Sequence, residues 1–213
     1  MRQEKRFMTI AYRSLFLLLF IAQTACSRST LTTVWADKDY GKGPVSSVMV
    51  VGVSSDEKVR QLFEEHFVEL FEERSTEAVP SFKSIPKSSK ASKEAVEDTV
   101  RRRGIQSIFV TRMVGIDKEV AYIEDPVVDS HAARYNRRFD SYYPEAYGSA
   151  ATAVTYTFYK LESNLYDSES GALIWSARSK LFEPGTTDDA LEELGDLVMN
   201  DLYKRGYVKS SSK

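Results

Sequence analysis

The 213-residue chain has little of what most recognisable sites are built from. It holds one cysteine, two histidines, and no apolar run long enough to span a bilayer. A single cysteine excludes an intramolecular disulfide framework and any cysteine-rich zinc site. Neither H-E-x-x-H nor a twelve-residue calcium loop occurs, so no metal or other cofactor is implied. No sign of charge dominates, with 29 Lys and Arg against 31 Asp and Glu, which excludes a polybasic nucleic-acid binder. Ten glycines and six prolines are too few for a collagenous or low-complexity chain. No segment of 20–50 residues repeats, which argues against solenoids and propellers.

What is present begins with an address. Arg2, Lys5, Arg6 and Arg13 precede Ser14-Leu-Phe-Leu-Leu-Leu-Phe-Ile-Ala22, an uncharged run about the length of a signal-peptide apolar region and about half a membrane span. Small residues follow, then Cys26. The Thr24-Ala25-Cys26 step after that leader resembles a bacterial lipoprotein signal, although Gln23 stands where such signals usually carry Leu. The resemblance implies cleavage before Cys26 and acyl chains on its sulfur, each buried CH₂ contributing about 0.8 kcal/mol to membrane attachment. Ser27 after the cysteine implies, by likeness to enteric sorting, the outer membrane with the folded part facing the periplasm. A buried core cysteine and a secreted, unlipidated product are the alternatives. Removing the leader takes away four basic residues and one acidic residue, leaving 25 basic against 30 acidic side chains.

Residues 26–44 are polar and turn-rich and read as a flexible tether, with Leu31 to Trp35 able to dock as an edge strand and Trp35 as a packing anchor. A single α/β domain over 45–208 follows, then a tail at 209–213 that should fray. Val45 to Val53 is the short β-branched run of a strand buried on both faces. Ser54 and Glu57 have capping-box spacing, and Val59, Leu62, Phe63, Phe67, Leu70 and Phe71 form the apolar stripe of the helix behind them. Arg60, Glu64, Glu65, Glu69, Glu72 and Glu73 fall on its other face. Thr76 to Ile85 reads as an edge strand because of Pro80. Ser92 caps a helix ending at Gly104, with Arg101, Arg102 and Arg103 in its last turn complementing the helix dipole.

Ile105 to Val114 is a second buried strand, continuing towards Ile123. A strand from Thr152 changes parity between Phe158 and Leu161, predicting a bulge at 159–161. After the turn at Asp167–Gly171, Leu173, Trp175, Ala177, Ser179 and Leu181 give a strand's inner face. A final helix carries Leu191, Leu194, Leu197, Val198 and Leu202. The expected fold is α/β: a mixed sheet with two early βαβ-type units followed by an antiparallel meander, and about three helices packed on it.

No catalytic set emerges. His66 lies beside an apolar stripe as a core-edge side chain. Asp129-Ser130-His131 gathers the residue types of a hydrolase triad, but adjacent residues rarely aim at one point. The segment 122–149 has no clear period, and it concentrates Tyr135, Arg137, Arg138, Tyr142, Tyr143 and Tyr147, residue types enriched at binding hot spots. These six are the candidate contacts for a partner.

Val48-Met-Val-Val-Gly-Val53, Ile108-Phe-Val-Thr-Arg-Met-Val-Gly115, Leu161-Glu-Ser-Asn-Leu-Tyr-Asp167 and Leu173-Ile-Trp-Ser-Ala-Arg-Ser179 together resemble a family of uncharacterised bacterial outer-membrane lipoproteins with a domain of unknown function. These are core patterns rather than a site motif. The resemblance and the address imply a non-enzymatic, membrane-anchored accessory or adaptor protein binding a periplasmic or envelope partner. The alternative is a carrier of a small envelope ligand, lipid or glycan, which would need a sizeable apolar cavity.

Overall fold

The structure is a computed structural model and describes residues 29–85, 92–123 and 152–211. Six strands form one mixed sheet: β1 (Thr30–Ala36), β2 (Ser47–Val53), β3 (Glu77–Pro80), β4 (Ser107–Ile123), β5 (Thr152–Asp167) and β6 (Leu173–Phe182). Their order is β1-β6-β5-β4-β2-β3, with β3, β2 and β4 parallel and the rest antiparallel. Helices α1 (Glu57–Glu72), α3 (Lys93–Arg103) and α4 (Thr187–Lys204) pack on the sheet, and α2 (Ser81–Ser84) is a single turn. The α/β class, the parallel first half and the antiparallel second half agree with the sequence reading.

Alternation along β2 explains the layering. Val48 and Val50 point into the main core with Phe63, Phe67 and Phe71 of α1, Phe109 of β4, and Leu194, Val198 and Leu202 of α4. Met49 and Val51 point the other way, into a smaller core closed by Val96 and Val100 of α3. A strand covered on both faces reads as a continuous apolar run, as β2 does. Among the described residues, only one face of the sheet beyond β4 carries helices. The opposite face shows a charged row, Arg112–Glu162–Arg178, with Nη2–O distances of 3.1 Å on each side. Burial pushes the Glu162 carboxyl up, but the two guanidiniums outweigh it and hold it below its ordinary value.

The caps follow the sequence signals, with one correction. Ser92 accepts from Ala95 N, Gly104 closes α3 in the left-handed region at φ 65°, and Thr186 with Asp189 forms a capping box on α4. In α1 the cap is Asp56, whose carboxylate accepts from Lys58 N and Val59 N; Ser54 instead accepts from Asp56 N and shapes the approach.

The expected tether is largely folded. Ser29 is buried, Thr30–Ala36 pairs antiparallel with β6, and Asp37 N donates to Ile174 O. Trp35 is 48% exposed on this edge strand and so does not anchor it. Lys42 reaches Asp167 Oδ2 at 2.8 Å, and Ser170 donates twice to Oδ1.

Burial raises the Asp167 pKa, yet the Lys42 ammonium and the Ser170 donors prevail and bring it from 3.8 to about 2. A depressed carboxylate stabilises the fold above its unfolded pKa, and that contribution disappears as pH falls from about 4 through 2. Urea titrations of wild type and Asp167→Asn should therefore differ most above pH 4 and converge near pH 2. A difference that does not change with pH would refute the assignment.

Two further expectations shift. The strand foreseen over Thr76–Ile85 ends at Pro80, where the chain turns into α2. β3 is nonetheless an edge strand, which accommodates a proline without an N–H. The bulge expected at 159–161 lies on the opposing strand: Met113 faces Leu161 and Gly115 faces Lys160, so Val114 is the extra residue. β5 itself alternates regularly. Its apolar residues change parity because Tyr159, Leu161 and Leu165 face the helices, while Tyr156 and Phe158 pack with Phe182 on the other face.

Candidate functional site

The segment 1–28, with Cys26, lies outside the described residues, as do Asp129, Ser130, His131 and the six partner-contact candidates Tyr135, Arg137, Arg138, Tyr142, Tyr143 and Tyr147. The site that the described residues do form was not foreseen. It is a cleft of about 520 Å³ at the end of the sheet where β2 and β6 finish and α1 and α4 begin.

Each wall has a local cause. Gly52 and Val53 end β2, and their floor continues through Thr111 and Met113 of β4, Tyr159 and Leu161 of β5, and Leu181 of β6. These β4, β5 and β6 residues share one face because Met113 pairs with Leu161 and Tyr159 pairs with Leu181. One side is Val59, Arg60 and Phe63 of α1; the other is Pro184 to Thr187 with Ala190, Leu191 and Leu194 of α4. The two helices diverge towards their N-termini and leave the end of the sheet uncovered. Farther along they approach closely at Gly195, where a Cβ would stand 2.6 Å from Leu70 Cδ1. In an open α/β sheet, the space beyond the carboxyl ends of the parallel strands is the usual place for a ligand.

Behind the α1 wall sits a buried carboxylate. Glu64 is fully buried although the α1 pattern placed it on the polar face. Its Oε1 accepts from Gly52 N (3.0 Å), Arg60 Nε (3.0 Å) and Ser81 Oγ (2.6 Å), and its Oε2 accepts from Phe82 N (2.8 Å). Arg60 also donates to Ser81 Oγ and Glu57. One side chain thus joins the end of β2, the first turns of α1 and the N-terminal turn of α2. It also explains why the chain leaves β3 at Pro80: the backbone N–H of Phe82 is taken by Glu64 rather than by a neighbouring strand. Sequence spacing could not show this, since Glu64 follows the charged pattern of its neighbours.

The cleft itself is largely apolar. Its walls are mostly aliphatic and aromatic, with Ser54, Thr111, Thr186 and Thr187 as polar points. Thr111 Oγ1 and Ser163 Oγ are 2.8 Å apart, and Arg60 is committed to Glu64. No histidine, cysteine or carboxylate occurs among the described residues that line it. His66 sits farther along α1, its ring edge-on to Phe67 and its buried Nε2 without a hydrogen bond among the described residues. It borders a groove with Glu65, Glu69, Asp188, Glu192 and Asp196, yet no three potential metal ligands converge among the described residues. Arg101 to Arg103 lie in the last turn of α3, where Arg102 pairs with Asp98 and Arg103 bonds Ser84. No helix among the described residues is long and apolar enough to cross a membrane.

No family model matches this chain, and no curated protein matches it in sequence. Among solved structures it is similar to the PelC dodecamer from Paraburkholderia phytofirmans, at 11% identity over 80% of this chain and 95% of that one, with a TM-score of 0.44. It is also similar to lipoprotein GNA1162 from Neisseria meningitidis, at 14% identity over 75% of this chain and 99% of that one, with a TM-score of 0.39. Likeness of this degree assigns neither a family nor an activity to the chain.

Proposed function

We propose that the protein is a non-enzymatic lipoprotein of the bacterial cell envelope, held on the outer membrane through Cys26, and that it acts by binding. The described geometry favours a small apolar or amphipathic envelope ligand over the protein partner that the Tyr- and Arg-rich segment suggested. The observation that carries this is the cleft between α1 and α4. Its volume of about 520 Å³ lies in the range of small-molecule sites, and its few hydroxyls are placed to orient a ligand rather than to attack it. An acyl chain is the natural occupant, because aliphatic walls bring a gain of about 0.8 kcal/mol for every CH₂ removed from water.

Ala190 is half-buried on the cleft wall at the edge of the main core, so Ala190→Trp would project a large ring into the cleft. Titration with a fluorescent long-chain fatty acid should show binding to the wild type and at least a tenfold weaker affinity for Ala190→Trp, with unchanged circular dichroism. Equal affinity in both proteins would remove the cleft from consideration. Metabolic palmitate labelling tests the anchor separately: label retained by Cys26→Ser would refute it.

A further inference from the structure

The sheet does not end where its helices do. β2 pairs with β4 only as far as Arg112, and β6 pairs with β5 only from Phe158 onwards. Past those points β4 and β5 continue as a two-stranded ribbon to the Ile123–Thr152 pair. From the Asp117–Phe158–Phe182 row, six residues at about 3.4 Å each carry it about 20 Å beyond the last three-stranded row.

The two faces of the ribbon differ. On one face the charges are consumed internally, by ion pairs Asp117–Lys160 and Glu119–Lys180 and by Lys180 over the Phe158 ring. The other face continues the cleft floor and presents Met113, Ile116 and Val120, which are 53%, 53% and 56% exposed, with Lys118 between the last two and Thr157 and Thr155 opposite them. Val53, on the cleft rim, is 56% exposed at the same end. Scattered apolar side chains need no explanation, but three exposed ones along one face of a projecting ribbon that runs into an apolar cleft do, and the lysine among them can lie along the apolar surface with its ammonium in the polar layer.

The first described residue lies at this end as well. Ser29 is buried, donates to Glu193 Oε2 at 2.5 Å and accepts from Phe182 N at 2.9 Å. It is thereby fixed to the end of β6, beside the base of the ribbon. Cys26 is three residues away, and three residues of extended chain span at most about 10 Å. If Cys26 carries the lipid, the body is held within that reach of the bilayer, while the ribbon extends about twice as far from the same end.

We propose that the β4–β5 ribbon is a membrane-contacting element, its Met113, Ile116 and Val120 face resting in the lipid surface and turning the mouth of the cleft towards the bilayer. The inference rests on the lipid reading of Cys26 and deepens the ligand reading, since it makes the adjoining bilayer the source of the bound acyl chain. The occupant of the exposed row is bilayer lipid. It is favoured over a second protein because a short tether already brings lipid to that row.

The test uses the full mature lipoprotein in vesicles of phosphatidylethanolamine and phosphatidylglycerol. Cys26 is the only native cysteine, and lipidation on its sulfur would block it, so a cysteine added elsewhere can be labelled uniquely. Environment-sensitive fluorophores are placed at Ile116→Cys, Val120→Cys and, on the far side of the sheet, Asp98→Cys. The expected result is blue-shifted emission for the two ribbon labels, with quenching by doxyl lipids and protection from aqueous iodide. The Asp98 label should remain iodide-accessible. Vesicle flotation separates the two levels of the argument. Protein that floats with water-exposed ribbon labels overturns the ribbon's placement alone, and protein that fails to float overturns the anchor and the placement with it.

Discussion

Replacing Glu64 by alanine should destabilise the domain by about 3–5 kcal/mol, the range for removing one partner of a buried ion pair. The reason is the number of groups left behind. Gly52 N, Phe82 N and the Ser81 hydroxyl would lose their acceptor, and the mostly buried Arg60 guanidinium would lose its counter-charge. Buried donors without partners cost about 1–3 kcal/mol each before relaxation. In a domain of this size the loss corresponds to a fall in Tm of about 10 °C.

A second variant tells charge from wiring. Arg60→Met with Glu64→Met removes both ions together, a change that is often close to neutral when only an ion pair is at stake. Here it should recover only part of the loss, because the two backbone N–H groups and Ser81 remain unserved. The effect also reaches the cleft: Gly52 and Arg60 form part of its lining, so the Glu64 variant should bind the fatty-acid probe more weakly even below its melting temperature. Urea denaturation with a loss under about 1 kcal/mol would show that this network is not what holds β2, α1 and α2 together.

A comparable effect is expected at the other side of the core. Trp175 is fully buried in the main core, and its indole Nε1 donates to Asp201 Oδ2 at 2.9 Å. Asp201 also accepts from Arg205 Nε at 2.6 Å, so one carboxylate fastens α4 to β6 and closes its own last turn. Trp175→Ala removes the largest side chain of the core and should cost about 3–5 kcal/mol. Trp175→Phe keeps most of the packing but orphans the carboxylate on the indole side. Because Asp201 retains Arg205 and is partly accessible, that variant should lose only about 1 kcal/mol. If both substitutions cost the same, the indole hydrogen bond rather than the volume would be the dominant contribution.

The two sites teach different lessons about reading the chain. Trp175 was legible: the alternation Leu173, Trp175, Ala177, Ser179, Leu181 marked an inner face, and every member but Leu173 is buried. Glu64 was not, because it shares its helix position with charged neighbours that do face water. What buries it is the arrival of Ser81 and Phe82 from a segment 17 and 18 residues away. Trp35 erred in the opposite direction: a large aromatic among small polar residues suggested an anchor, but an edge strand has an outer side, and Trp35 lies there. The bulge was detected as a break in parity, yet a parity break names neither the strand that carries the extra residue nor whether one exists. Only the pairing of Met113 with Leu161 and Gly115 with Lys160 located it at Val114.

Taken alone, the residue order determined three amphipathic helices, the double-sided burial of β2 and the α/β class. Those features are local: they depend on periods of 3.6 and 2, on turn and cap chemistry, and on run length, all contained within a few consecutive residues. The tertiary structure decided which faces meet, that two helices splay to open a cleft, that a carboxylate vanishes into the interior and that a ribbon outruns the sheet. These depend on long-range pairing and on how far each neighbour extends, and no single segment carries that information.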